Sequence, residues 1–259
     1  MSARALLHAL FLTVGAATSG AGQSAAGDTA VTVRGFCQRA DGGPAEGLWK
    51  LVLVYPLRLG NLRVRALALV GDPTQWTRYE DRFVEASGSV TVRREAAAPF
   101  PATIALARIK EVTPAGTVRR TISPSFSQRA TVTLAVIPNR FFWRDETGQV
   151  SGVSASILYT VGNHGDAPLE FELPSNEVLC ASVKAASESR PHWEHVWSET
   201  AVVRPLTIKM GNVVRYIVPI PEDAARDPGR YVVRASLCGV PDYEAEAEFE
   251  IVERVTGRR

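Results

Sequence analysis

From Asp28 onward nearly every segment alternates apolar and polar side chains with a period of two, and that pattern constrains the fold more than any motif does. Successive side chains of a strand point to opposite faces, so alternation means strands with one buried face. Residues 62–70 (LRVRALALV) place Leu62, Val64, Ala66, Ala68 and Val70 on one face. In 130–137, Val132, Leu134 and Val136 alternate with Thr131, Thr133 and Ala135. Residues 48–55 (LWKLVLVY) read as a mostly apolar strand, and 90–94 and 102–109 continue the series. The separators carry turn formers: Asp41-Gly42-Gly43-Pro44, Gly71-Asp72-Pro73 and Thr113-Pro114-Ala115-Gly116. Only 74–83 and 222–226 leave room for a helical turn. Many short strands with such punctuation predict an antiparallel sandwich.

The 259 residues suffice for two domains of roughly 100–120 residues each. Residues 138–149 (PNRFFWRDETGQ) interrupt the alternation, which places a linker at 139–149. An N-terminal domain then covers 28–138 and a C-terminal domain 150–255, with Phe141, Phe142 and Trp143 expected at the seam between them. Past the linker, Val153, Ala155, Ile157, Tyr159 and Val161 share one face, and further strands read at 168–173, 178–184, 193–198, 203–209, 213–219, 230–237 and 244–252. Glu244, Glu246, Glu248 and Glu250 give the last of these an acidic outward face that guards against edge pairing. The expected fold is all-β: two tandem immunoglobulin-like antiparallel β-sandwich domains.

They follow a signal peptide. Arg4 precedes an apolar run over 6–18, and small residues fill 19–26, which assigns 1–27 to export. The predicted location is secreted or periplasmic, at the envelope of a bacterial cell. No apolar run reaches the roughly 18–20 residues of a membrane span. In an oxidising compartment Cys180 and Cys238 are a disulfide candidate and Cys37 is left over; three unpaired buried thiols are the alternative. A bridge between the two would close a long loop, which the chain-entropy model values at about 4 kcal/mol.

Charge narrows the partners. With 29 basic against 27 acidic residues the balance is +2, which gives little pull toward nucleic acid or anionic lipid. His192-Trp193-Glu194-His195 is the best metal candidate, but alternation sends His195 to the face opposite His192 and Glu194. No metal and no cofactor are therefore expected. His164 with Asp166 lacks a serine in a nucleophile elbow, and no Walker loop or Rossmann glycine pattern occurs, so no catalytic residue is assigned.

One run of features is more specific. Tyr159-Thr-Val-Gly-Asn163-His-Gly165-Asp166-Ala-Pro168-Leu-Glu-Phe171 comes first, then Pro174 to Asn176, Val183 and His195-Val196-Trp197-Ser198. Leu206-Thr-Ile-Lys-Met-Gly211, Val213, Tyr216 and Pro228-Gly229-Arg-Tyr231-Val-Val-Arg-Ala235 complete it. In this order and spacing the C-terminal half resembles the intracellular proteinase inhibitor (BsuPI-type) domain family. The sequence departs from that family at Leu179-Cys180, where an aspartate is usual, and in 184–191, which has no glycine. Trp197 reads as a core filler between sheets. The N-terminal segment Val33-Arg-Gly35, followed by Asp41 to Gly47, is similar to the opening of transthyretin-like β modules.

The resemblance implies a non-enzymatic binding protein that inhibits a serine protease through an exposed loop. The loop expected is 185–192, whose Arg190-Pro191 bond resists cleavage because proline follows the arginine. The alternative is a cell-envelope or adhesion-like interaction protein without inhibitory activity. Both make the partner a protein, and the sequence assigns no oligomeric state.

Overall fold

The computed structural model describes residues 29–40, 45–93, 98–125, 127–142, 155–174, 177–196, 203–221 and 223–253. The expected signal peptide, Trp143, Trp197 and Ser198 lie outside the described residues.

The first five strands are β1 (Thr29–Arg39), β2 (Trp49–Leu59), β3 (Leu62–Val70), β4 (Arg82–Val92) and β5 (Ala102–Glu111). They form a closed barrel in the order β1-β2-β3-β5-β4, with β4 returning antiparallel to β1 and β3 running parallel to β5. This is the Greek-key order of OB-type barrels, so the N-terminal half corrects the expected immunoglobulin-like sandwich. Two glycines allow the closure. A Cβ on Gly35 would stand 2.2 Å from the Val52 carbonyl oxygen, and one on Gly88 would stand 2.1 Å from that of Ala105. Backbones approach there as closely as a strand without a side chain permits.

Alternation fails inside the barrel for the same reason. The β2–β3 register shifts between Val52 and Leu57, so β3 changes phase partway. Leu67 enters the core, whereas Val70, assigned inward from sequence, is exposed. Between β3 and β4 the chain makes two short 3₁₀ turns, Pro73–Gln75 and Thr77–Tyr79. Asp72 caps the first by accepting from the Thr74 amide at 2.9 Å, and Trp76 plugs into the core beside Cys37.

The remaining strands are β6 (Val118–Ser125), β7 (Gln128–Ile137), β8 (Arg140–Phe142), β9 (Ser156–Asn163), β10 (Leu169–Leu173), β11 (Leu179–Ala185), β12 (Trp193–His195), β13 (Arg204–Ile208), β14 (Val213–Pro219), β15 (Gly229–Leu237) and β16 (Val240–Val252). One sheet runs β14-β9-β7-β6 and the facing sheet β12-β11-β15-β16-β8, with β10 and β13 paired separately. Their inward side chains make one core, crossed by Tyr159, whose hydroxyl on β9 donates to the Tyr243 carbonyl on β16 at 2.6 Å. Burial holds that phenol well above its ordinary pKa.

Strands β6 and β7 belong to this sandwich, because β7 pairs with both β6 and β9. The crossing between the two halves therefore falls after Glu111, not at 139–149. The break at Pro138 is where the chain passes from β7 in one sheet to β8 in the other. The aromatic residues after it divide accordingly. Phe141 stacks on Phe249 in the sandwich, 6.2 Å between centroids, and Phe142 is exposed, so neither fills the seam.

The seam is filled by other residues. Phe36, Val54 and Phe83 from the barrel meet Ala135, Ile137 and Leu158 from the outer face of β7 and β9. β7 thus buries both faces, Val132, Leu134 and Val136 toward one core and Ala135 and Ile137 toward the other. Two apolar faces on one strand follow from this central position.

Candidate functional site

The loop read from sequence as the binding element joins β11 to β12, and both Arg190 and Pro191 are exposed on it. It is short and tied down. The Ala186 amide donates to the Arg230 carbonyl at 2.9 Å, the Glu188 amide to Ala185 at 3.0 Å and the His192 amide to Val183 at 2.8 Å. A side-chain contact closes it from within, His192 Nε2 to Glu188 Oε2 at 2.7 Å. His192 also meets the edge of Tyr231 at 6.2 Å, and Tyr231 stacks on Phe249 at 5.1 Å, so the loop leans on the aromatic core.

Tyr231 is itself fixed. Its hydroxyl donates to the Asp227 carbonyl at 2.8 Å, four residues upstream. Asp227-Pro228-Gly229-Arg230-Tyr231 thereby folds back on its own strand, the geometry of a tyrosine corner. The turn between β9 and β10 is held by Asn163, which is fully buried: its Nδ2 donates to the Ala167 and Ile208 carbonyls at 2.8 and 2.9 Å, and its Oδ1 accepts from the Gly165 amide at 3.0 Å. Each polar atom of that side chain is satisfied, which is why an amide can sit in the core.

Cys180 and Cys238 are joined in a disulfide, with Cα atoms 4.9 Å apart, linking β11 to the residue after β15. Cys37 is free and buried in the barrel. Burial, with Glu80 and Asp81 adding to it, pushes its thiol up to about 12, which leaves it protonated and inert at neutral pH.

The histidines go to separate partners. His192 faces Glu188, while His195 meets Glu177 at 3.2 Å and stacks on Trp193 at 6.0 Å. Among the described residues no three His, Cys, Asp or Glu side chains gather around a point that would hold a metal ion. Among them, too, no helix is long and apolar enough to cross a membrane.

A second concave region, which the sequence did not signal, lies along the seam. Two cavities, of about 430 and 220 Å³, both touch Phe83 and Pro114. The larger is lined mainly by apolar groups such as Val33, Val54, Leu57 and Ile137. On its rim Tyr55 donates to the Arg140 carbonyl at 3.1 Å, bridging the two halves. Glu85 there is held by Lys110 at 2.7 Å and Arg34 at 2.8 Å, which keeps its carboxyl below the usual range. The smaller cavity contains Arg215 from β14. An arginine inside an otherwise apolar strand (VVRYIVP) is a signal by which the sequence could have revealed it.

No protein-family model matches the chain, and no curated protein matches it. Among solved structures, a β-glucosidase from Erythrobacter marinus aligns at 12% identity with a TM-score of 0.30, covering 62% of this chain and 18% of its own. The chain thus spans under a fifth of that enzyme's length, and at this TM-score the likeness carries no argument.

Proposed function

We propose that this chain is an exported, non-enzymatic binding protein whose C-terminal sandwich engages a protein partner, a serine protease, through the 185–192 loop. The observation that carries the reading is the braced loop itself: three backbone hydrogen bonds and the His192–Glu188 contact hold Arg190 and Pro191 outward. A loop already ordered before contact loses little entropy on binding, which is what an inhibitor that presents one segment to a cleft requires. The tyrosine corner at Tyr231 and the parallel pairing of β8 with the last strand, β16, support an immunoglobulin-like C-terminal sandwich. The resemblance to BsuPI-type domains supports the inhibitory role, and the Cys180–Cys238 disulfide supports an oxidising compartment.

The test is titration of the purified full chain against trypsin-type and subtilisin-type proteases, following residual activity and the integrity of the chain. Stoichiometric loss of trypsin-type activity with an intact chain is expected, and Arg190→Ala should weaken it at least about tenfold. Full residual activity, or rapid cutting within the loop, would sink the inhibitory reading. A second reading is a cell-envelope or adhesion-like interaction protein. It is favoured by the turn between β13 and β14, which holds Met210 at 62% exposure next to exposed Val213. Capture of an envelope protein that Met210→Asp abolishes, with proteases untouched, would select it.

A further inference from the structure

We infer that the smaller seam cavity is a binding site for a small organic monocarboxylate with an apolar body, anchored by Arg215. The polar side of this cavity is built by strand register. Arg215 on β14 lies opposite Thr160 on β9, and Thr160 lies opposite Thr133 on β7, so the three side chains stand in one row on one face. Partners in such a row are about 5 Å apart at Cβ, close enough for one small group to meet all three. All three line the cavity.

Arg215 is the group that calls for a ligand. Its side chain is only 20% exposed, yet its one ion-pair contact among the described residues is Glu111 at 3.7 Å, too long for a hydrogen bond. Glu111 is more closely engaged by Arg82. Burial, and after it the Arg82 charge, lower the pKa of the Arg215 guanidinium, while Glu111 and Asp81 act against that shift. Glu111 and Asp81 act on the guanidinium from a distance, but no carboxylate among the described residues stands within hydrogen-bond reach of it. A monocarboxylate in the cavity can accept a pair of parallel N–H bonds from the guanidinium fork.

The next row on the same sheet face, Ala135 opposite Leu158, together with Phe83 from the barrel, selects the body of the ligand. Phe83, Ala135 and Leu158 present apolar surface to the same space. At about 220 Å³ the cavity exceeds the roughly 150 Å³ that admits benzene in an apolar protein cavity, so a single ring with its carboxylate fits. A phosphate dianion would meet Glu111 and gain nothing from the apolar wall.

Benzoate is the probe, titrated into the full chain by calorimetry and followed by amide shifts at Thr133 and Thr160. The expected result is saturable one-to-one binding, with benzamide and inorganic phosphate each at least about tenfold weaker. Arg215→Met should lose at least about tenfold and Arg215→Lys less, because an ammonium makes one contact in place of two. Arg215 also reaches across the seam, so Thr160→Val provides an independent check: about a threefold loss is expected with the fold intact. No saturable benzoate binding, or phosphate or benzamide binding as tightly as benzoate, would overturn the assignment.

Discussion

The barrel and the sandwich solve the same problem, burying one face of many short strands, by different means. The barrel joins its last free edges to each other, β4 to β1, so backbone hydrogen bonds hold the layer closed. The sandwich keeps two separate sheets and ties them with side chains, above all the Tyr159 hydroxyl reaching from β9 to β16. It then pins one sheet covalently through Cys180–Cys238. Closure by backbone demands close approach and therefore glycine at Gly35 and Gly88, whereas closure by side chains demands polar groups that find partners in the core. Each half should therefore fail at a different kind of residue.

The largest effect is expected in the barrel. A valine at Gly35 would drive its side chain into the β2 backbone, and Gly35→Val should cost more than about 4 kcal/mol. Amide hydrogen exchange should show protection lost over β1, β2 and β4 while β9 and β15 retain it. Equal loss in both halves would mean that the seam of Phe36, Phe83 and Leu158 makes them one cooperative unit, with no separate points of failure.

Removing the disulfide should do the converse. Cys180→Ala with Cys238→Ala reopens a segment of 58 residues and should cost about 2–4 kcal/mol. The loss should appear in exchange over β11 and β15 and leave the barrel unchanged. A Tm unaffected by the double substitution would show that the Tyr159 and Asn163 contacts alone hold the sandwich.

The smallest effect separates the two halves by pH. Cys37 is raised from 9.0 to about 12, so the folded barrel keeps a proton that the unfolded chain releases above pH 9. Stability from this group is complete below pH 9 and falls as pH rises toward 12, with a slope of up to about 1.4 kcal/mol per pH unit. Cys37→Ala should cost about 1 kcal/mol at pH 8 through lost packing and then gain on the parent by about 2 kcal/mol by pH 11. Urea unfolding of both proteins at the two pH values checks this, because contributions of tyrosines such as Tyr159 cancel in the difference. A constant gap would show that the thiol is reached by solvent in the native state.

Legibility followed the range of the interaction. The alternation in β7 and β9 was plain, as was the turn around Asn163, because both are set by neighbours in sequence. The 185–192 segment lies between two strands that are legible from local alternation, but its bracing by Arg230 and Tyr231 comes from a strand some forty residues away. Val70 was assigned inward and is exposed because a register shift opposite, in β2, is invisible from β3. Arg215 was not singled out by its sequence, because its company of Thr160 and Thr133 exists through strand pairing alone.

By itself, then, the sequence determined that this chain is built of short strands, where they turn, and which residues have the chemistry to pair or to bind. That holds because a period of two is a property of the local backbone. Tertiary structure decided that five strands close into a barrel, that β6 and β7 join the second half, and that a row of polar side chains faces a cavity at the seam. The physical reason is that alternation fixes which face of a strand is apolar but is nearly blind to which strand lies beside it. That choice is made by hydrogen bonds and packing between residues distant in the chain.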